Sequence, residues 1–216
     1  MINSQDILFF VNTFIKFFFL LTPFFALTMF LTMTDGMDNP ARKKLAVKIT
    51  ISVYISCLIL FLFGSEIFSI FGITIDAFRI GTGSLLFITA VGLVHSKAAQ
   101  AAVYNFEDDI AVVPLAIPII VGPATIGAIL VMGVEIETFK LKVIGLSALF
   151  TSIFFVGTML YLASYLEHVL KKKGLIIISK ITGLILSALA AQGGREDLLT
   201  FLLLQKSREL LILQKR

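Results

Sequence analysis

Four prolines, Pro23, Pro114, Pro118 and Pro123, interrupt long apolar runs. A proline inside a helix removes a backbone donor and frees a carbonyl. In a bilayer such freed groups must be satisfied by protein, water or ligand. A helix broken there also points its N-terminal N–H groups, the positive end of its dipole, at any anionic group nearby. Gly122 and Gly127 let a helix or ligand approach the backbone closely. Thr22 and Thr125 flank the two breaks and can add hydroxyl hydrogen bonds. Thr22, Pro23, Gly122, Pro123, Ala124 and Thr125 are therefore candidates for binding a small ligand with a carboxylate. The plainer reading is a pair of structural kinks with tight helix packing.

The ionisable residues are few. Arg79 and Lys180 each precede an Ile and a Thr-Gly pair, and charges inside a membrane usually face a cavity or a partner. They are candidates to hold a substrate carboxylate, or a protein carboxylate such as Asp76 or Glu66. Arg79 lies near a span end, so snorkelling to the interface is the alternative. Lys16 sits about nine residues into its run, where a local ion pair, snorkelling and function all fit. Asp108 and Asp109 precede an apolar run and suit helix N-capping; the rival role is gating or ion coupling. Glu66 and Asp76 are candidate ligands for a coupling proton or Na⁺, with nothing to choose between them. Cys57 is the single cysteine, so neither a disulfide nor a cysteine metal site is expected. His95 and His168 sit at run ends, and neither HExxH nor a P-loop occurs. No catalytic residue, metal or cofactor is expected.

The elements that must position these groups follow from composition. Of 216 residues, 58% are apolar and 15% charged, and the mean hydropathy is +1.00. A soluble domain carries about a quarter charged residues and under half apolar ones. A water-soluble enzyme and a disordered chain are both excluded. Six apolar runs, at residues 7–33, 46–71, 77–94, 110–133, 141–166 and 174–192, have the length and composition of spanning helices. They do not alternate as barrel strands would. The first is not a convincing signal peptide, because its leading residues carry no Lys or Arg and the run is too long. With the N-terminus outside, the inner loops hold Arg42, Lys43, Lys44, Lys48, Lys97, Lys171, Lys172 and Lys173, against Arg79, Lys140 and Lys142 outside. That bias favours an N-out orientation. The basic tail after residue 192 would then lie outside, against the rule. The net charge of +4 is read as this loop charge and not as a nucleic-acid surface. Twenty-one Phe residues serve lipid contact and packing, and Tyr161 and Tyr165 read as interfacial anchors.

The chain also repeats itself. Thr22-Pro23 in the first run matches Gly122-Pro123 in the fourth at an offset of 100, and Arg79-Ile80 matches Lys180-Ile181 at 101. Three spans per half make the second half enter from the opposite side. The expected fold is an all-α membrane protein of six transmembrane helices in two inverted three-helix repeats, an architecture typical of secondary transporters. Its segments are a first repeat at 1–95, a cytoplasmic connector at 96–109, a second repeat at 110–192, and an atypical basic, Leu-rich tail at 193–216.

Glu107 through Ile126, with its fixed Pro and Gly positions, resembles the central signature of the MarC family. Phe71 through Gly83 is similar to that family's third-span motif, and Ile181 through Gln192 to its last span. The resemblance covers about residues 7–192. It implies a six-span bacterial inner-membrane protein grouped with the small LysE-like exporters, some members of which are described as transporters of glycine and alanine. Two departures stand out. Thr22-Pro23-Phe24-Phe25 replaces an Asx-Pro-x-Gly-Asn type sequence, and the last span gives way to Gly193-Gly194-Arg195-Glu196-Asp197. A break at Gly193-Gly194 is therefore expected, followed by an amphipathic surface helix over 198–213. The expected function is secondary transport of a small neutral amino acid across the inner membrane, with a coupling proton or sodium ion and the lipid bilayer as surroundings. The rivals are a non-transporting membrane module that binds a partner or lipid, and an intramembrane enzyme, which needs a nucleophile–base pair or metal ligands at depth.

Overall fold

The computed structural model describes residues 3–95, 120–136 and 138–214. Among them all regular structure is helical: α1 (Ser4–Leu20), α2 (Pro23–Met33), α3 (Asn39–Leu62), α4 (Gly64–Phe71), α5 (Ile75–His95), α6 (Pro123–Glu135), α7 (Phe139–Tyr161) and α8 (Ala163–Gln214). Among the described residues, five helical stretches are long and apolar enough to cross a membrane. They are Ser4–Met33, Asn39–Leu62, Ile75–His95, Phe139–Tyr161 and Lys173–Gln192. Pro123–Glu135 is a shorter apolar helix; the expected fourth span began at residue 110, and 110–119 lie outside the described residues, as does the connector at 96–109.

The expected boundaries change in five places. The first run is two helices, because Thr22 adopts a left-handed conformation (φ 46°, ψ 57°) immediately before Pro23. The second run starts earlier, at Asn39, with Pro40 in the first turn where its missing N–H costs nothing. It also ends earlier, at Leu62, and resumes as the separate helix α4. The fifth ends at Tyr161, and α8 begins two residues later. The sixth does not break at Gly193-Gly194: the α8 backbone stays helical to Gln214, and its kink lies instead at Lys171 (φ 54°, ψ 159°).

Helix α1 packs on α7, α2 on α8, α3 on both α6 and α7, and α5 on both α6 and α8. The shared core includes Phe17, Leu27, Phe30, Ile49, Ile129, Leu149, Ile153 and Leu186, all essentially inaccessible. Ile7, Leu8, Val11 and Ile15 on α1, and Leu85 and Ile88 on α5, lie exposed, as lipid-facing residues do. Hydroxyls hold the helices together across the apolar interior by donating to backbone carbonyls. The Tyr54 hydroxyl donates to the Phe150 carbonyl at 2.7 Å, and that of Ser152 to the Phe14 carbonyl at 2.9 Å. Helix α6 approaches the α3–α4 corner backbone to backbone. A Cβ on Gly133 would stand 2.4 Å from the Phe61 carbonyl oxygen, and one on Gly64 2.8 Å from that of Leu130. Only glycine allows this approach.

Ion pairs mark the two ends of the bundle. At one end Lys140 of α7 meets Asp6 of α1 at 2.5 Å. At the other, Arg42 lies 3.7 Å from Glu167 and donates to the Thr34 carbonyl and the Ser164 hydroxyl. Near the same end the Lys43 ammonium lies over the Tyr161 ring, 5.1 Å from its centroid. Tyr161 is thus placed as an anchor of that end, and Tyr165 is exposed.

Candidate functional site

The starts of α2 and α6 meet. Thr22, Gly122, Pro123, Ala124 and Thr125 line one cavity of about 350 Å³, closed on its other side by Leu86, Thr89, Gly92 and Leu93 of α5. Both half-helices, α2 and α6, start here with proline in the first turn. The first N–H groups of a helix have no partner within it. The Ala124 and Thr125 amides are two of these, so the cavity carries uncommitted donors and the positive end of a dipole. At the first break, a β-branched residue in the left-handed region is a genuine outlier and stores about 1–3 kcal/mol of strain. Strain of this kind concentrates where a binding geometry is held in advance.

Thr125 has a specific job. Its hydroxyl donates to the Leu20 carbonyl at 3.0 Å, across 105 residues of sequence. Leu20 ends α1, so the second break satisfies a carbonyl released by the first. The hydroxyl proton is thereby committed, and Thr125 retains lone pairs to accept from a ligand. Thr125→Val keeps the shape and strands the buried carbonyl, a loss of about 1–3 kcal/mol. Thermal unfolding in detergent is expected to fall for Thr125→Val and to be nearly restored by Thr125→Ser.

A second cavity, of about 330 Å³, lies further along the bundle. It is lined by Thr13, Lys16, Arg79, Thr82, Gly127 and Glu135, among others. Helix α5 acts as a ruler between the two. Thr82 and Gly83 line this cavity, Thr89 and Gly92 line the first, and Leu86 lines both. Leu20 and Ala124 also belong to both linings. Leu20, Leu86 and Ala124 therefore form a thin apolar partition, with a cavity on either side along the span. At a rise of 1.5 Å per residue, Thr82 and Thr89 are about 10 Å apart.

The other expected site residues are dispersed. Arg79 pairs with Glu135 at the end of α6. Asp76 begins α5 and Glu66 begins α4; neither lines the two cavities. Lys180 is exposed on α8 and lines neither. Asp108 and Asp109 lie outside the described residues. Lys16 lines the second cavity. Sequence reasoning missed Glu135, Leu86 and Thr89. Glu135 left one signal, an acid closing the apolar stretch that follows Pro123; Leu86 left none, since a partition leucine has the same residue type as any lipid-facing one.

A bundle with five helical stretches, among the described residues, long and apolar enough to cross a membrane defines an integral multi-pass membrane protein. A family model described as MarC family integral membrane protein matches residues 7–196, and the chain belongs to that family. It is 32% identical to a UPF0056 membrane protein of Methanocaldococcus jannaschii over 196 residues, covering 87% of this chain and 95% of the relative. The UPF0056 membrane protein YhcE of Escherichia coli is 31% identical over 195 residues, covering 83% and 86%. A UPF0056 membrane protein of Aquifex aeolicus is 28% identical over 190 residues, covering 85% and 89%. No solved structure matches the chain.

Proposed function

We propose that this protein is a carrier, not an enzyme, that moves small neutral amino acids of the glycine and alanine type across the bacterial inner membrane. The observation that carries the proposal is the convergence of both half-helix starts on one cavity of about 350 Å³. That volume is at the small end of ligand sites. It presents helix N-terminal donors for a carboxylate and only apolar or hydroxyl side chains beside it, which suits a substrate with no charged side chain. The partition formed by Leu20, Leu86 and Ala124 supports alternating access, because a substrate on either side needs only this thin wall to rearrange.

The carrier is built from six spans in two inverted repeats, 1–95 and 110–192. The packing supports this reading through its symmetry. If α2, α3 and α5 correspond to α6, α7 and α8, then the α2–α7 contact has its image in α3–α6. The α2–α8 contact has its image in α5–α6, and α3–α7 and α5–α8 map onto themselves. Inverted repeats with discontinuous helices at the midplane are the construction of secondary transporters. The N-terminus lies outside: Arg42, Lys43, Lys44 and Lys171 gather at the end tied by Arg42 and Glu167, the side favoured for basic residues. A proton or sodium ion supplies the drive, with Glu66, Asp76, Asp108 and Asp109 as candidate carriers of it.

Labelled glycine and alanine flux in proteoliposomes tests the proposal. Pro123→Leu restores a backbone donor and lets α6 wind back through Val121, closing the break. Flux is expected to fall to background in this variant while the fold is retained. Undiminished flux in Pro123→Leu would remove the broken-helix site from the account.

A further inference from the structure

The threonines at the two helix starts are used differently. The Thr125 hydroxyl donates to the Leu20 carbonyl, and that of Thr89, in the same cavity wall, to the Leu85 carbonyl. Thr22 is satisfied along its backbone: its amide donates to the Phe19 carbonyl, and its carbonyl accepts from the Ala26 amide. Its hydroxyl makes no capping bond to α2 and has no other hydrogen-bond partner among the described residues. Yet Thr22 is only 7% exposed, and it lines the cavity at the start of α6. A hydroxyl placed so deeply ordinarily finds a partner. Residue type points the same way. Thr22 holds φ 46°, a conformation that glycine takes freely and asparagine tolerates. The matched position before α6 is Gly122, at φ −75° and ψ 170°, a backbone that any residue adopts. The glycine stands where the backbone does not ask for one, and the β-branched residue stands where it is most strained. The turn therefore does not account for Thr22; a hydroxyl in the cavity wall does.

We infer that the Thr22 hydroxyl is the side-chain donor to the substrate carboxylate, completing a cradle whose other donors are the Ala124 and Thr125 amides. The inference deepens the carrier reading and rests on it for the substrate being an amino acid. The hydroxyl donates one hydrogen bond to a carboxylate oxygen and keeps its proton. The carboxylate lies between the starts of α2 and α6, two positive dipole ends, and the same two ends repel an ammonium. The carboxylate is therefore the end of the substrate that this corner holds. Because the left-handed turn fixes Thr22 and its hydroxyl gives up no protein partner, the donor is organised before the ligand arrives, and little ordering is left to oppose binding. The two threonines divide the work: Thr125 braces the cavity, and Thr22 meets its occupant.

Labelled glycine is bound to the full chain in phosphatidylcholine nanodiscs and competed with acetate and with methylammonium. Saturable binding is expected, displaced by acetate and not by methylammonium. Thr22→Val is expected to weaken glycine binding by about tenfold or more, the scale of a lost charge-assisted bond, and Thr22→Ser to keep most of the affinity. Thr22→Gly also removes the hydroxyl but suits the left-handed turn, so it carries the test if Thr22→Val does not fold. Its glycine affinity is expected to fall as in Thr22→Val, while its ligand-free thermal midpoint is unchanged or raised. A lowered midpoint with intact affinity would mean that the hydroxyl serves only the fold, and would overturn the assignment. So would the absence of saturable glycine binding, or displacement by methylammonium and not by acetate. Glycine flux in the same variants is a separate reading. Flux with an unaltered concentration dependence in Thr22→Gly overturns this inference and leaves the carrier standing; binding that depends on Thr22, without flux, supports this inference and overturns the carrier.

Discussion

Replacing Ala124 with leucine is expected to abolish transport and leave the helical bundle intact. Ala124 follows the helix-starting proline of α6, is half-buried, and belongs to the linings of both cavities. Three added carbons there enter open volume and not the close-packed core, so the free protein tolerates them. The substrate does not, because the same volume must hold its carboxylate beside the Ala124 and Thr125 amides. Overpacking costs about 1–3 kcal/mol, and each 1.4 kcal/mol imposed on the bound state alone is tenfold in affinity. Glycine flux through Ala124→Leu is therefore expected to drop by roughly ten- to a hundredfold, with an unchanged helical circular dichroism spectrum and a thermal midpoint close to that of the parent. Normal flux in a folded Ala124→Leu protein would place the substrate path elsewhere.

Leu86→Ala is expected to act in the opposite sense. Leu86 is the α5 side chain shared by both cavities, and it is only partly buried. Its truncation thins the partition and does not hollow the core, so the stability loss is expected to be smaller than the about 2–5 kcal/mol of a fully buried Leu→Ala change. The functional consequence is larger. A carrier works because one side closes before the other opens. With the partition thinned, the two cavities, about 330 and 350 Å³, tend toward one continuous path. Efflux of preloaded glycine is expected to rise roughly tenfold or more, the effect of lowering a barrier by about 1.4 kcal/mol, and to lose its dependence on the ion gradient. Tight, gradient-dependent efflux in Leu86→Ala would mean that Leu86 is not part of the partition.

Which features were legible in the sequence follows from how local they are. The interruption at Pro23 and the start of α6 at Pro123 were legible because proline acts on its own helix. Five of the six expected spans were legible because bilayer length selects apolar runs; of the run at 110–133, the described residues show only the shorter helix α6. What needed the fold is long-range. Arg79 pairs with Glu135, 56 positions further along the chain, a contact that local sequence does not reveal. Thr125 was recognisable as a polar residue at a break, but not as the donor that satisfies Leu20. Arg79 and Lys180 match in sequence, yet the first lines a cavity and the second is exposed on α8; similar residue types at matched positions do not ensure matched surroundings. The glycine pair after Gln192 reads as a break, but two glycines cost a helix only about 1 kcal/mol each, and the α8 backbone stays helical through them.

Counterflow tests the central claim most directly, because exchange of one substrate molecule for another is a property of carriers. Proteoliposomes holding the full chain are loaded with unlabelled glycine and diluted into a trace of labelled glycine, with no ion gradient. The account predicts a transient, saturable accumulation of label that is absent from protein-free liposomes and from Ala124→Leu. Folded, membrane-inserted protein that shows no counterflow with glycine or alanine would contradict it.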